Sequence, residues 1–150
     1  MEITAQQVKM LREKTGAGIA DVKKALEESG GDANKACELI EQKLGSAAMK
    51  KATRATGAGV VEAYIHSNGR VGALVEIFCE TDFVARNPTF KQFAHDIALH
   101  IAAMDPADAE ILRGQPFVKD PGKTIGDLLS ESIGKFGENM KIGRFARFEL

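Results

Sequence analysis

The connection Glu80-Thr81-Asp82-Phe83-Val84-Ala85-Arg86-Asn87 puts an acid, a large aromatic and a guanidinium on one short stretch between an apolar run and a helix start. Connections that only join elements favour small polar residues, Gly and Pro. Two readings stand side by side. In one, Phe83 packs beneath a sheet edge while Asp82 and Arg86 act as local caps or pair with each other. In the other, Phe83 protrudes as an aromatic anchor beside an acid, the composition of an interface hot spot. A second feature of the same kind is Ile19-Ala20, where apolar residues open a helix directly after Gly16-Ala17-Gly18. Such residues are either core or an exposed contact point.

Bond-making chemistry has no comparable signature. The chain holds no GxxxxGK[ST], HExxH or GxSxG motif. Gly57-Ala58-Gly59 lacks the third glycine of a dinucleotide fingerprint and precedes a strand, whereas that motif follows one. His95 and His100 lie on different faces of one helix, so they do not form a metal pair, and His66 reads as a surface residue beside a turn. Asp105 and Asp108 flank Pro106 and read as turn and cap residues. Cys37 and Cys79 form no CxxC pair and fit a reducing compartment. The expectation is a protein that is not an enzyme and needs no cofactor or metal.

The 20 basic and 21 acidic side chains leave a net charge of −1, without the basic excess typical of a nucleic-acid binder. No direct nucleic-acid contact is therefore expected, and Lys50, Lys51 and Arg54 read as a solvated face. No apolar run approaches the ~20 residues that span a bilayer. Met1-Glu2-Ile3-Thr4 lacks the build of a secretory signal. The expected location is the cytoplasm, with an organelle matrix as the alternative. The length of 150 residues, 44% of them hydrophobic, suits one ordinary domain or a small helical unit beside a compact second one.

Residues 1–45 predict three short helices. Thr4 and Gln7 match a capping box, with Ile3 and Val8 as its staple. Ile19, Val22, Ala25 and Leu26 share a face of the second helix. Asp32 caps the third, whose inner face is Ala33, Ala36, Cys37, Ile40 and Leu44, with Gly45 as terminator. Residues 46–59 read as a partly helical connector. From residue 60 to 150 the pattern predicts an α+β core. Val60–Ser67 and Arg70–Glu80 flank the hairpin signal Asn68-Gly69, which pairs Ile65 with Gly72, Ala63 with Leu74 and Val61 with Glu76. Both faces of that hairpin are apolar, so one needs a second layer or a partner. Asn87-Pro88 opens a helix with the stripe Phe90, Phe93, Ala94, Ile97, Ala98 and Ile101. Residues 105–123 read mostly as loop, with a turn of helix at Ala107–Arg113. Thr124 caps a helix ending at Gly137, and Lys141 to Leu150 form a last strand on the hairpin, giving three antiparallel strands.

Several motifs in order resemble the translation elongation factor Ts family in its short form, with one core subdomain. They are Thr15-Gly16-Ala17-Gly18 with Asp21-Val22-Lys23-Lys24-Ala25-Leu26, then Glu80 to Asn87, Gln115-Pro116-Phe117-Val118-Lys119-Asp120, Gly137-Glu138-Asn139-Met140 and Arg144-Phe145. The resemblance implies a guanine-nucleotide exchange factor for elongation factor Tu. It implies that the N-terminal unit is ubiquitin-associated-like and grips the partner, with Arg12, Ile19 and Ala20 as contacts. It further implies that the loop Thr81, Asp82, Phe83 and Val84 pushes its Asp-Phe pair in near the partner's magnesium and switch region, and that the core sheet forms a homodimer. The alternative is a ubiquitin-associated-like adaptor with a dimerisation domain, which would have no use for the Thr81–Asn87 loop. Two departures from the family pattern stand out. The helical stretch before Gln115 is cut to residues 105–114, leaving surface to be covered. Gly143 replaces the first of a frequent Arg pair, so looser strand pairing is expected there.

Overall fold

The structure, a computed structural model, describes residues 2–150. Three helices come first: α1 (Ala5–Thr15), α2 (Ile19–Glu28) and α3 (Ala33–Lys51). Thr4 accepts from the Gln7 amide and Gln7 returns a bond to the Thr4 amide, closing the capping box. Asp32 caps α3 through the Asn34 and Lys35 amides. Val8, Leu11, Val22, Leu26, Ala36 and Ile40 make a small buried core.

Gly45 does not terminate α3. The helix runs through it to Lys51, so the first part of the expected connector is regular helix. Tertiary packing overrides the weak propensity of one glycine, which costs about 1 kcal/mol in a helix. Ala36, Cys37 and Ile40 belong to the helical core, while Ala48, farther along the same helix, belongs to the second core.

The second core is built on β1 (Ala58–Ile65), β2 (Val71–Cys79) and β5 (Lys141–Glu149), in spatial order β1-β2-β5 and antiparallel throughout. The hairpin register matches the expected one, with Ile65 opposite Gly72, Ala63 opposite Leu74 and Val61 opposite Glu76. Between them in sequence lie α4 (Asp82–Ala85), α5 (Pro88–Met104), α6 (Ala109–Gly114), β3 (Pro116–Phe117), β4 (Asp120–Thr124) and α7 (Ile125–Phe136). One sheet face packs Val75, Ile77 and Cys79 against Phe90, Phe93, Ile97 and Ile101 of α5 and Ile133 of α7. In the segment expected to be mostly loop, the expected turn of helix is α6, and the two-stranded β3–β4 hairpin is the departure.

That hairpin is anchored by His100, which is fully buried. The Val118 amide donates to His100 Nδ1 at 3.2 Å, and His100 Nε2 lies 2.9 Å from Gln115 Oε1. These partners select the neutral Nε2–H tautomer, and burial pulls the imidazole below its ordinary pKa although Gln115 works the other way.

The other sheet face is bare. Val61, Ile65, Leu74 and Phe148 are exposed on it, Phe148 by 75%. Beside them Arg144 and Glu76 form a two-pronged ion pair, 2.7 Å from Nε to Oε1 and 3.0 Å from Nη2 to Oε2. The Arg144 hydrogen bonds hold the Glu76 carboxyl below the usual range. The β2–β5 register shifts at Glu76, which faces the pair Gly143-Arg144, a β-bulge. The departure near Gly143, where looser pairing is expected, takes the form of a shift in register. A Cβ at Gly143 would run into the Phe78 ring and the Glu76 side chain, so glycine is what lets the strands approach.

The helical unit and the sheet core meet along α3 and α7. Gly134 lies against Leu44, where an added Cβ would sit 3.1 Å from the Leu44 Cβ. Lys123 bridges the two, 2.8 Å from Glu131 and 3.5 Å from Glu41. Burial works against the Lys123 ammonium, but Glu131, Glu41 and Asp120 outweigh it and raise its pKa.

Candidate functional site

At the exit of β2 the chain turns into α4, a single helical turn. Thr81 is its N-cap, accepting from the Val84 amide. Ala85 faces inward and is buried, which leaves Asp82 and Phe83 pointing out. Phe83 is 89% exposed. The packing reading of this aromatic is therefore wrong, and the protruding-anchor reading describes the geometry. Asp82 and Arg86 are exposed too, and neither forms an ion pair among the described residues within 4.0 Å.

A turn this short does not hold its own shape. Three segments brace it. Glu138, just after α7, accepts from the amides of Glu80 at 3.1 Å and Thr81 at 3.0 Å and from the Thr81 hydroxyl at 2.7 Å. The Asn139 amide donates to Glu80 Oε2 at 2.7 Å, and the Asn139 side chain donates to the carbonyl of Arg54 at 2.8 Å and that of Ala52 at 3.4 Å. Beneath the turn, the Cys79 thiol donates to the Thr81 carbonyl at 3.3 Å. Burial, with Glu138 adding to it, pushes that thiol's pKa up, so it stays protonated as a donor.

The second set of candidate residues lies on the helical unit. Arg12 and Ile19 line one open groove of about 700 Å³ between α1 and α2, together with Ile3, Val8, Glu13 and Lys23. Ile19 is 51% exposed, so the helix-start apolar residue is a surface feature and not core. Ala20 is exposed beside it but does not line the groove. Glu80, Glu138 and Asn139 carry no role that sequence spacing reveals. They lie far apart in the chain, and only the return of α7 to the β2 exit joins them. The signal available was the motif Gly137-Glu138-Asn139-Met140 itself.

The geometry is a solvent-facing aromatic on a braced turn, and a separate groove between α1 and α2 lined by apolar and charged side chains. No group of His, Cys, Asp and Glu among the described residues is placed to hold a metal ion, and no described helix is long and apolar enough to cross a membrane. A family sequence model described as elongation factor TS matches residues 80–150. Among curated relatives, elongation factor Ts of Rubrobacter xylanophilus is 42% identical over 195 aligned positions, covering 100% of both chains. That of Carboxydothermus hydrogenoformans is 47% identical, covering 99% of this chain and 89% of the relative. That of Nitratidesulfovibrio vulgaris is 45% identical, covering 100% and 98%. The chain belongs to the elongation factor Ts family. The first of these alignments has 195 positions where this chain has 150 residues, so that relative carries residues without a counterpart here.

Proposed function

We propose that this protein is a guanine-nucleotide exchange factor that binds elongation factor Tu·GDP and promotes GDP release during translation elongation. The observation that carries the reading is Phe83, held out to solvent at 89% exposure on a braced turn with Asp82 beside it. An apolar side chain kept in water by several hydrogen bonds to its own loop is favoured only if another surface receives it. Asp82 and Phe83 enter near the partner's magnesium and switch region, with Thr81 and Val84 shaping the turn. Residues 1–45, through Arg12, Ile19 and Ala20, grip the partner; residues 46–59 connect; residues 60–150 form the core. No bond is made or broken. A factor that binds the nucleotide-free partner better than the GDP-bound one lowers GDP affinity by the same ratio, by linkage.

The bare sheet face with Val61, Ile65, Leu74 and Phe148 is the surface through which two copies pair. The test of function is release of labelled GDP from elongation factor Tu with and without the protein. Acceleration at sub-stoichiometric amounts is expected; release at the spontaneous rate refutes the reading.

A further inference from the structure

Both oxygens of the Glu138 carboxylate are turned to the stretch that carries Asp82 and Phe83. Oε1 takes the Glu80 and Thr81 amides, for which no other acceptor is found among the described residues, and Oε2 takes the Thr81 hydroxyl proton. That last bond orients the hydroxyl. With its proton committed to Glu138, its lone pair is what the Val84 amide meets 3.4 Å away. The N-cap of the one-turn helix is thus set from outside the helix, by a residue 57 positions along the chain from Thr81. Gly137 ends α7 in the left-handed region at φ 72°, a conformation that L side chains resist, and so aims Glu138 and Asn139 at the loop. The Asn139 bonds to Glu80 and to the Ala52 and Arg54 carbonyls tie the same point to the end of α3.

We propose that Glu138 is the positioning residue of the exchange loop, holding the turn so that Phe83 and Asp82 are presented in register with the partner; this rests on the exchange reading above. Glu138 acts through Thr81 and the backbone, not by contact with nucleotide. A four-residue helix without its cap samples many conformations, so loss of Glu138 costs pre-organisation and leaves Phe83 itself chemically intact.

Two measurements test it. In the free protein, amide hydrogen exchange at Thr81, Val84 and Ala85 is compared between wild type, Glu138→Gln and Glu138→Ala. Labelled GDP release from elongation factor Tu is then measured for the same proteins and for Glu138→Ala combined with Phe83→Ala. Glu138→Ala is expected to lose local protection and to lower exchange efficiency about tenfold or more. Glu138→Gln keeps one oxygen for the two amides and recovers most of the rate. On the Phe83→Ala background Glu138→Ala costs less than it does in the wild type, because only the presentation of Asp82 remains to be lost. Wild-type exchange by Glu138→Ala, or a loss that adds fully to that of Phe83→Ala, overturns the proposal. Should Glu138→Ala not fold, Thr81→Val removes the hydroxyl relay alone; the same local loss supports the proposal and a wild-type rate overturns it. If wild type itself releases no GDP, the exchange reading fails, and the amide measurement alone decides whether Glu138 holds the turn.

Discussion

Replacing Phe83 with alanine separates an exposed anchor from a structural aromatic in one variant. A phenylalanine buries ~150–250 Å² when fully covered. At about 25 cal/mol per Å², that area corresponds to roughly 4–6 kcal/mol of transfer free energy. Ordering the partner's side chains and fixing the two bodies offset part of this, and central aromatic anchors lose about 2–4 kcal/mol when truncated. At tenfold per 1.4 kcal/mol, the affinity for elongation factor Tu should fall roughly thirtyfold to several-hundredfold. Folding should barely respond, because the ring is 89% exposed in the free protein and contributes little buried area. A change in unfolding free energy within about 0.5 kcal/mol is expected, as for surface substitutions generally. The assay pairs urea unfolding with titration of the partner by calorimetry. A stability loss of several kcal/mol with unchanged affinity per folded molecule would refute the reasoning, since it would mean the ring is packed in solution.

Other perturbations probe the scaffold. Because His100 has a lowered pKa when folded, the unfolded chain binds the extra proton first as pH drops; its contribution to stability is full above about pH 6.5 and is lost as pH falls from there toward the folded pKa. Urea midpoints between pH 7.5 and 5.5 should decline in wild type and decline less in His100→Gln. Phe148→Asp, on the bare sheet face, should shift the mass seen by light scattering from about twice 16.1 kDa to one chain that is still folded by circular dichroism; an unchanged mass counts against pairing through this face. Gly134→Ala should destabilise by about 1–3 kcal/mol through overpacking against Leu44, although helix propensity alone predicts a gain. A higher melting temperature for that variant would show that α3 and α7 are not tightly docked.

What the sequence makes legible is local. The Thr4–Gln7 box, the Asn68-Gly69 register and the Asn87-Pro88 start each depend on residues a few positions apart, and each is found in the structure. Gly45 misleads because its surroundings, not its own propensity, decide: Ala48 packs into a second core and Leu44 meets Gly134 of α7, which local reading cannot see. The β3–β4 hairpin escapes notice because its strands are short and held partly by a buried histidine from α5. At the site, residue chemistry marked the 80–87 stretch but left two orientations of Phe83 open. Only its exposure separates them, and exposure depends on Ala85 facing inward and on Glu138 arriving from after α7.

Helix α3 has 19 residues, a rod of about 28 Å at 1.5 Å per residue, and its two halves are rooted in different cores. Its C-terminal end is tied through Asn139 to the Phe83 turn, while its N-terminal half carries the unit that holds Arg12 and Ile19. On the exchange proposal, the distance between the two proposed contact surfaces is therefore set before any encounter. A partner engaging both would meet a ruler and not a tether, with no search through linker conformations for the second contact.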